Sequence, residues 1–174
     1  SDLSVIASNT QLSNLWLQNC NASDISVLNT FTNLTQLKMH ANPLGCFAFY
    51  IDIPQIVANN PDIDITYGSV PSECDSSTFI TVDYDGTADY LSIQDAINNS
   101  DDGDTIVVMP GTYVENILFN GKKITLTSLN PNDTVTVETT IIDGGQNDSV
   151  VTFYQNETNE TVITGFTITN GSSH

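Results

Sequence analysis

Hydrophobic and polar residues follow two different periods in the second half of the chain. In the segment LSIQDAINN, residues 91–99, apolar residues recur close to the spacing of an α-helix. The apolar positions are Leu91, Ile93, Ala96 and Ile97. Ser92 precedes the pattern as a candidate N-cap, and the polar segment DDGD at 101–104 interrupts it. We therefore predict a short amphipathic helix that ends before residue 101.

From Thr105 onwards, short segments rich in Val, Ile and Thr alternate with turn signals such as Asn-Gly, Asp-Gly-Gly and Asn-Pro. The predicted strands are residues 105–109, 113–119, 123–128, 139–143, 149–154 and 162–169. A short helix lying across the first of these strands would cover an edge that is otherwise open to water.

The N-terminal third contains one pattern twice, at residues 2–17 and 24–39, offset by 22 residues. The equivalent positions are Leu12 and Leu34, Leu15 and Leu37, Leu17 and Met39, and Cys20 and Asn42. We predict one strand in each copy, with the leucines facing inward. Both copies resemble the strand segment of leucine-rich repeats, and this resemblance implies that the position of Cys20 and Asn42 faces inward, where a polar side chain satisfies backbone groups in the turn. Cys20 is therefore interpreted as a buried structural thiol rather than a ligand or nucleophile.

The two copies, LxxLxLxxC at 12–20 and LxxLxMxxN at 34–42, resemble the strand segment of leucine-rich repeats. Residues 42–67, with a helix-like segment at 53–59, are similar to the C-terminal caps of secreted bacterial leucine-rich-repeat proteins. Such a cap covers the apolar face of the last repeat. Because a stable stack generally needs three or more repeats, we expect additional repeats before Ser1.

Three cysteines bear on this cap. Cys46 and Cys74 flank it, and we expect them to form a disulfide that fastens it. Pairing with Cys20 is the alternative, but an inward-facing side chain would then have to reach outward. A three-cysteine zinc site is disfavoured because no two cysteines have metal-ligand spacing. A disulfide would indicate an oxidising compartment, and hence a secreted or cell-surface protein.

Residues 82–117 carry a second resemblance. The matching segments are Asp85-Gly86, SIQDAI at 92–97, GDTIVV at 103–108 and PGTYVEN at 110–116. Together they resemble the first coil of a right-handed parallel β-helix of the pectin-lyase-like superfamily, which includes pectin methylesterases and large bacterial surface proteins. In such enzymes this segment precedes the coils that carry the active site.

The expected fold class is therefore a mainly β solenoid made of two parts. Residues 1–74 would form leucine-rich repeats and their cap, and residues 75–174 would form the start of a parallel β-helix with a short N-terminal capping helix. A linker rich in proline, serine and charge, residues 69–78, separates the parts. Since the last coil would leave open strand edges, we expect it to continue or to be covered by a partner.

The chain is strongly acidic. Twenty-one Asp and Glu residues oppose three lysines, there is no arginine, and the net charge is −18. Binding to nucleic acid or to an anionic membrane requires cationic side chains, so both partners are disfavoured. No segment approaches the about 18 apolar residues of a membrane-spanning helix, and no signal peptide opens the chain.

No catalytic constellation is evident, so the chain is interpreted as non-catalytic. Asp143 lies in a strand-like segment beside two glycines, where a turn is the simpler interpretation. Methylesterases of the pectin-lyase-like superfamily use an arginine beside Asp and Gln, and this chain has none. Neither His40 nor His174 lies in a setting like that of a Ser-His-Asp triad.

Calcium is the one cofactor that the sequence suggests. Hard cations bind several carboxylate and carbonyl oxygens, and two acidic groups have suitable residues. These residues are Asp83, Asp85, Asp89, Asp101, Asp102 and Asp104. The alternative is that they form turns and cap the helix, because aspartate favours both positions. The first group lacks the closing glutamate of an EF-hand.

Eight asparagines begin an N-x-S/T motif and are possible glycosylation sites in a secretory chain. They are Asn21, Asn33, Asn98, Asn132, Asn147, Asn156, Asn159 and Asn170. In a chain so rich in Asn and Thr, many such motifs also arise from composition alone.

The leading functional hypothesis is a non-catalytic segment of a secreted or cell-surface protein, serving adhesion, carbohydrate or protein binding, or fibre building. Extended rows of side chains suit such binding. The candidate contact residues alternate between the buried leucines and are Trp16, Gln18, Lys38 and His40. Packing of Trp16 between repeats is the alternative.

Two other functions stay open. One is the front part of a polysaccharide lyase or esterase, whose stacked basic and carboxylate residues would lie on coils beyond His174. The other is self-assembly of open solenoid ends into filaments, against which a monomeric elution profile would count. The expected partners are thus an extracellular protein, a polysaccharide or further copies of the chain.

Overall fold

The computed structural model describes residues 3–72, 74, 79–155 and 157–172 of the 174-residue chain. The chain divides into two compact units, residues 1–76 and 77–174, and each is considered by itself. The boundary expected between residues 74 and 75 adjoins residues 75–78, which lie outside the described residues.

The first unit is built on one parallel sheet in the order β1-β2-β3. The strands are β1 (Asn14–Trp16), β2 (Gln36–Lys38) and β3 (Asp64–Thr66). Leu15 pairs with Leu37, and Leu37 pairs with Ile65. The first pairing joins positions 22 residues apart, so its register follows the sequence repeat. The second joins positions 28 residues apart, because helical turns lengthen this connection.

These helical turns cover the apolar side of the sheet. Short 3₁₀ helices run over Ser4–Ile6 and Ser26–Thr30, and a π-helical turn over Ala48–Asp52 leads into α1 (Ile53–Asn59). The predicted helix at residues 53–59 is thereby confirmed. Its Ile56 is fully buried in a core with Leu28, Phe31 and Leu37. Burial of such side chains supplies about 1.5–3 kcal/mol each and orients the sheet with one face inward.

Inside this unit, the side chains of two asparagines form hydrogen bonds with backbone N–H and carbonyl groups. The Asn42 Oδ1 accepts hydrogen bonds from the backbone N–H groups of Cys20 and Ala22, at 3.1 and 3.0 Å. Its Nδ2 donates to the carbonyls of Leu17 and Met39, at 2.6 and 2.8 Å. The expected role of Asn42 in the turn is therefore confirmed.

Asn60 makes an equivalent set of hydrogen bonds to backbone groups of the first unit. Its Oδ1 accepts from the N–H of Leu34 at 2.7 Å, and its Nδ2 donates to the carbonyls of Phe31 and Ile56. Cys20 is half-buried, and its thiol donates to the Gln18 carbonyl at 3.5 Å.

Cys46 and Cys74 form a disulfide, with 5.2 Å between their Cα atoms. This is the pairing that the sequence favoured over one with Cys20. The Tyr50 hydroxyl also donates to the Cys74 carbonyl, at 3.3 Å. The disulfide joins residues 28 positions apart and thereby restricts the conformations of the unfolded chain.

The second unit contains three parallel sheets, in the orders β11-β8-β5-β4, β12-β9-β6 and β10-β7. The strands are β4 (Phe79–Val82), β5 (Thr105–Val108), β6 (Gly111–Val114), β7 (Ile117–Leu118), β8 (Thr125–Ser128), β9 (Thr140–Asp143), β10 (Val151–Thr152), β11 (Val162–Thr164) and β12 (Thr167–Thr169). Inward side chains such as Ile106, Tyr113, Leu126 and Ile142 form its core.

The predicted helix at residues 91–99 is confirmed as α2 (Ile93–Asn99). The Ser92 Oγ accepts from the Asp95 N–H at 3.1 Å, as expected of an N-cap. The Glu115 carboxylate additionally accepts from the N–H groups of Ile93 and Gln94, at 2.9 and 2.8 Å. The negative charge of Glu115 therefore stabilises the first turn of α2, because the helix dipole favours an anion at the N-terminus.

The expected fold class is wrong. The described residues form a small mixed α/β structure with several short parallel sheets and a few helices, and they do not form a single solenoid of leucine-rich repeats and β-helix. The strands pair over only two to four residues, and helical turns occupy much of the chain between them. Alternating apolar residues indicate where strands lie, but they do not determine how many strands join one sheet.

One helix lies between two predicted strands, in a segment for which no helix was predicted. Helix α3 (Thr134–Thr139) has the sequence TVTVET, which is rich in β-branched residues of low helix propensity. The Asp133 Oδ2 accepts hydrogen bonds from the N–H and the hydroxyl of Thr136, both at 2.8 Å. This N-cap offsets the weak propensity and starts the helix.

A buried hydroxyl in β8 supports a stability prediction. Within the described residues, the Ser128 Oγ is buried and has no hydrogen-bond partner. Ser128→Ala removes this unsatisfied group, and we expect a gain of about 1 kcal/mol in the free energy of unfolding, measured by chemical denaturation. The matched control is Thr127→Val, which removes a neighbouring hydroxyl that donates to the Ser128 carbonyl at 3.0 Å and should destabilise. Destabilisation by Ser128→Ala would contradict the expectation.

Candidate functional site

The outward face of β1-β2-β3 carries two rows of polar and aromatic side chains. Alternation along each strand turns Leu15, Leu37 and Ile65 toward the core and their neighbours outward. The two outward rows are Asn14, Gln36 and Asp64, and Trp16, Lys38 and Thr66. We call these six residues the β1-β3 face. It brings together positions 14 and 66 of the chain.

Hydrogen bonds connect the side chains of this face across all three strands. The Trp16 Nε1 donates to the Gln36 Oε1 at 2.9 Å, and the Gln36 Nε2 donates to the Asp64 Oδ2 at 3.0 Å. At the edge, the Thr35 hydroxyl donates to the Asn14 Oδ1 at 3.2 Å. The indole, the amide and the carboxylate are therefore oriented before any ligand arrives, which lowers the entropy lost on binding.

Trp16 is the most distinctive side chain of the β1-β3 face. It is 62% exposed although it is large and apolar, whereas such side chains are usually covered. Its only polar group already donates to Gln36, so the ring surface is what remains for a ligand. The Lys38 Nζ lies 5.2 Å from the ring centroid, in cation–π contact. Packing of Trp16 between repeats, the alternative interpretation, would have left little of its surface accessible.

The sequence-predicted contact residues fall along the same strands. Trp16 and Lys38 are paired neighbours in β1 and β2. Gln18 and His40 follow two residues later, with Gln18 half-buried and His40 exposed. Backbone hydrogen bonds continue beside them, from the Leu17 N–H to the Lys38 carbonyl and from the Asn19 N–H to the His40 carbonyl.

Four residues of the β1-β3 face were not predicted from the sequence. Asn14 and Gln36 precede Trp16 and Lys38 by two positions, so the same alternation was available to identify them. Asp64 and Thr66 lie on β3, whose sequence carries no third copy of the leucine pattern. The pairing of β3 with β2 is visible only in the structure.

The first group of candidate calcium ligands is used within its own loop. The Asp89 Oδ2 accepts from the N–H and the hydroxyl of Thr81, at 2.9 and 2.7 Å. The Asp83 Oδ1 accepts from the N–H of Asp85, whose Oδ1 accepts from the N–H of Thr87. These are the turn contacts that the alternative interpretation expected.

The second group behaves similarly. The Asp104 Oδ2 accepts from the Asp101 N–H at 2.7 Å, and the Asp102 Oδ1 accepts from the Lys123 N–H at 3.0 Å. Over the described part of the chain, no three His, Cys, Asp or Glu side chains come together in a group suited to a metal ion.

Asp143, the candidate acid in β9, also accepts hydrogen bonds from other residues of the second unit. The Asp143 Oδ1 accepts from the Gly145 N–H, and its Oδ2 accepts from the Asn170 Nδ2, both at 2.8 Å. These bonds fix the turn that follows β9. His174, the second histidine considered, lies outside the described residues.

The sequon asparagines are exposed wherever the structure describes them, and Asn156 lies outside the described residues. The exposed ones are Asn21, Asn33, Asn98, Asn132, Asn147, Asn159 and Asn170. Among them, the Nδ2 of Asn33 donates to the Thr10 carbonyl at 3.3 Å and that of Asn170 donates to Asp143.

One buried carboxyl lies away from the β1-β3 face. Asp52, at the end of the π-helical turn, is 2% exposed, and its Oδ1 accepts from the Asn29 Nδ2 at 2.8 Å. Burial, which disfavours the charged form, raises the pKa of Asp52 from 3.8 to about 6, and the nearby Asp24 adds to the effect. The bond from Asn29 acts in the opposite direction.

No helix in the described ranges is both long and apolar enough to cross a membrane. No protein-family model, no curated protein and no solved structure matches the chain.

Proposed function

We propose that this chain is a non-catalytic segment of a secreted or cell-surface protein, and that its β1-β3 face binds carbohydrate. The observation that carries the proposal is the exposed Trp16 ring, oriented by Gln36 and flanked by polar side chains.

The chemistry of the face favours a saccharide over an apolar peptide. Because the Trp16 N–H is already bonded, the indole offers a flat apolar surface that suits the C–H face of a sugar ring. The adjacent Gln36 amide and Asp64 carboxylate are planar hydrogen-bonding groups that suit ring hydroxyls. An apolar peptide would cover the remaining hydrogen-bonding capacity of these polar groups without satisfying it, at an energetic penalty.

Two features support a location outside the cell. The disulfide Cys46–Cys74 forms and persists in oxidising compartments. The net charge of −18 keeps such a chain soluble and repels anionic surfaces, so adhesion would depend on specific contacts rather than general attraction.

Carbohydrate binding predicts a measurable role for Trp16. On an array of neutral hexose oligomers and their C6-oxidised hexuronate counterparts, the wild-type chain should bind at least one ligand. Trp16→Ala should weaken that binding by about tenfold or more, as loss of a central aromatic contact does, measured by titration calorimetry. Trp16 is the only tryptophan, so a change in wild-type fluorescence on titration would report this face directly.

The matched control is Tyr154→Ala, which removes an aromatic side chain of similar exposure, 58%, from the second unit. It should leave binding unchanged. A wild-type chain that binds no saccharide on the array, or equal loss in both variants, would contradict the proposed function. Capture of a protein ligand by the same face would point to the protein-binding alternative.

A further inference from the structure

We propose that the β1-β3 face selects saccharides that carry an anionic group, a carboxylate or a sulfate, and that Lys38 is the residue that recognises it. This inference rests on the proposed carbohydrate binding and specifies its ligand class.

The chain has three lysines and no arginine, and two of the lysines have partners within the second unit. The Lys122 Nζ donates to three backbone carbonyls, those of Ile97, Asn98 and Ser100, at 2.6–2.8 Å. The Lys123 Nζ forms an ion pair with Glu160 at 2.9 Å. Both charges therefore have partners within the second unit.

Lys38 differs from both. No described carboxylate oxygen lies within 4.0 Å of its Nζ, although the chain contains 21 acidic residues. Its observed contact is with the Trp16 ring at 5.2 Å, which orients the ammonium without neutralising it. A positive charge held beside an exposed aromatic ring is therefore available for an anion.

The positions of the other side chains fit one ligand orientation. Lys38 stands between Trp16 and Thr66 in one row, while Asp64 stands in the neighbouring row with its Oδ2 bonded to Gln36. A sugar ring on Trp16 would then place its anionic group toward Lys38. Its hydroxyls would lie toward Asp64, because like charges repel the anionic group from that carboxylate.

Because the net charge of the chain is negative, a preference for anionic saccharides would indicate a specific contact. At −18, the chain repels polyanions that have no specific contact, so general electrostatic attraction cannot produce binding of an acidic saccharide. At about 0.15 M salt the Debye length is about 8 Å, so the distant carboxylates are screened more than a direct contact with Lys38.

The test compares each neutral oligosaccharide with forms that carry a carboxylate or a sulfate on the same sugar rings. We would measure dissociation constants at 0.15 M salt for cellohexaose and mannohexaose, for their C6-oxidised forms, and for sulfated cellohexaose. The oxidised or sulfated form should bind the wild-type chain about tenfold more tightly than its neutral parent, as a charge-assisted contact does. The carboxylated and sulfated ligands distinguish the two sources of the anion.

Two substitutions then assign the preference. Lys38→Gln should abolish the difference in affinity between the charged and the neutral ligands, because it removes the positive charge from the β1-β3 face. Lys123→Gln removes the same charge from an exposed site in the second unit, and the preference should persist. Circular dichroism spectra of both variants would establish that they are folded.

The outcomes separate the two proposals. Trp16-dependent binding of neutral and anionic ligands with equal affinity would overturn the role of Lys38 and leave carbohydrate binding intact. A preference for anions that survives Lys38→Gln would also overturn it. Absence of binding to every ligand would overturn both proposals.

Discussion

Raising the pH from about 4 to about 7 should lower the free energy of unfolding of the first unit by about 2 kcal/mol through Asp52 alone, which is most of a full effect of about 3 kcal/mol. The pKa of this carboxyl is raised from 3.8 to about 6, and each unit of difference corresponds to about 1.4 kcal/mol. Between those values the folded state binds more protons than the unfolded state. Stability therefore falls as pH rises through this window and is constant above it as far as Asp52 is concerned.

The local geometry supports the same direction. In the described residues, the Asn29 Oδ1 is buried without a hydrogen-bond partner, while its Nδ2 donates to the Asp52 Oδ1. A protonated Asp52 carries a hydroxyl, the kind of donor that this buried acceptor lacks. Protonation also removes a buried charge.

Asp52→Asn tests this account. The variant should be more stable than the wild-type chain at pH 8 and should lose the Asp52 part of the pH dependence between pH 4 and 7. Urea denaturation followed by the fluorescence of Trp16, the only tryptophan, reports the first unit. Asp62→Asn removes the same charge from an exposed site of that unit and should retain the dependence. Identical pH profiles for wild type and Asp52→Asn would refute the prediction.

Lys122→Met should lower the free energy of unfolding of the second unit by about 3 kcal/mol, because hydrogen bonds to charged groups contribute more than neutral ones. The ammonium donates to three carbonyls at the C-terminus of α2, where the helix dipole also favours a cation. Methionine keeps the length and apolar character of the side chain, so the carbonyls lose their partner while the packing changes little.

The adjacent lysine is the matched control. Lys123 pairs with Glu160 at the surface, with side chains 44% and 61% exposed, and such pairs contribute little in water. Lys123→Met should therefore leave the denaturation midpoint unchanged. Chemical denaturation by circular dichroism and hydrogen exchange of the α2 amides measure both variants. Equal effects of the two substitutions would show that the carbonyl contacts of Lys122 do not stabilise α2.

The candidate site was partly visible in the sequence. The repeat and its alternation identified Trp16 and Lys38 as outward residues, and both lie on the β1-β3 face. Asp64 joins them across 28 positions through Gln36, in a strand that does not share the leucine pattern. Local spacing carries no information about such a contact, because it depends on where the chain returns after α1.

The sequence by itself determined the elements whose signals are local. Periodicity and a capping serine predicted α2, the helix-like segment at 53–59 predicted α1, and a repeat of 22 residues predicted that Leu15 and Leu37 occupy equivalent positions. These features depend on residues close together in the sequence, so their spacing can be recognised without the tertiary structure.

Only the tertiary structure decided the rest. The division into several short sheets with helices, rather than one solenoid, depends on which strands meet. Helix α3 forms from β-branched residues, with its Asp133 cap and with the Thr167 hydroxyl donating to its Val137 carbonyl from 30 positions away. Lys122 contacts the C-terminus of α2 from 22 positions away. In each case distant contacts and caps outweigh local preference, since propensities differ by less than about 1 kcal/mol per residue while such contacts contribute more.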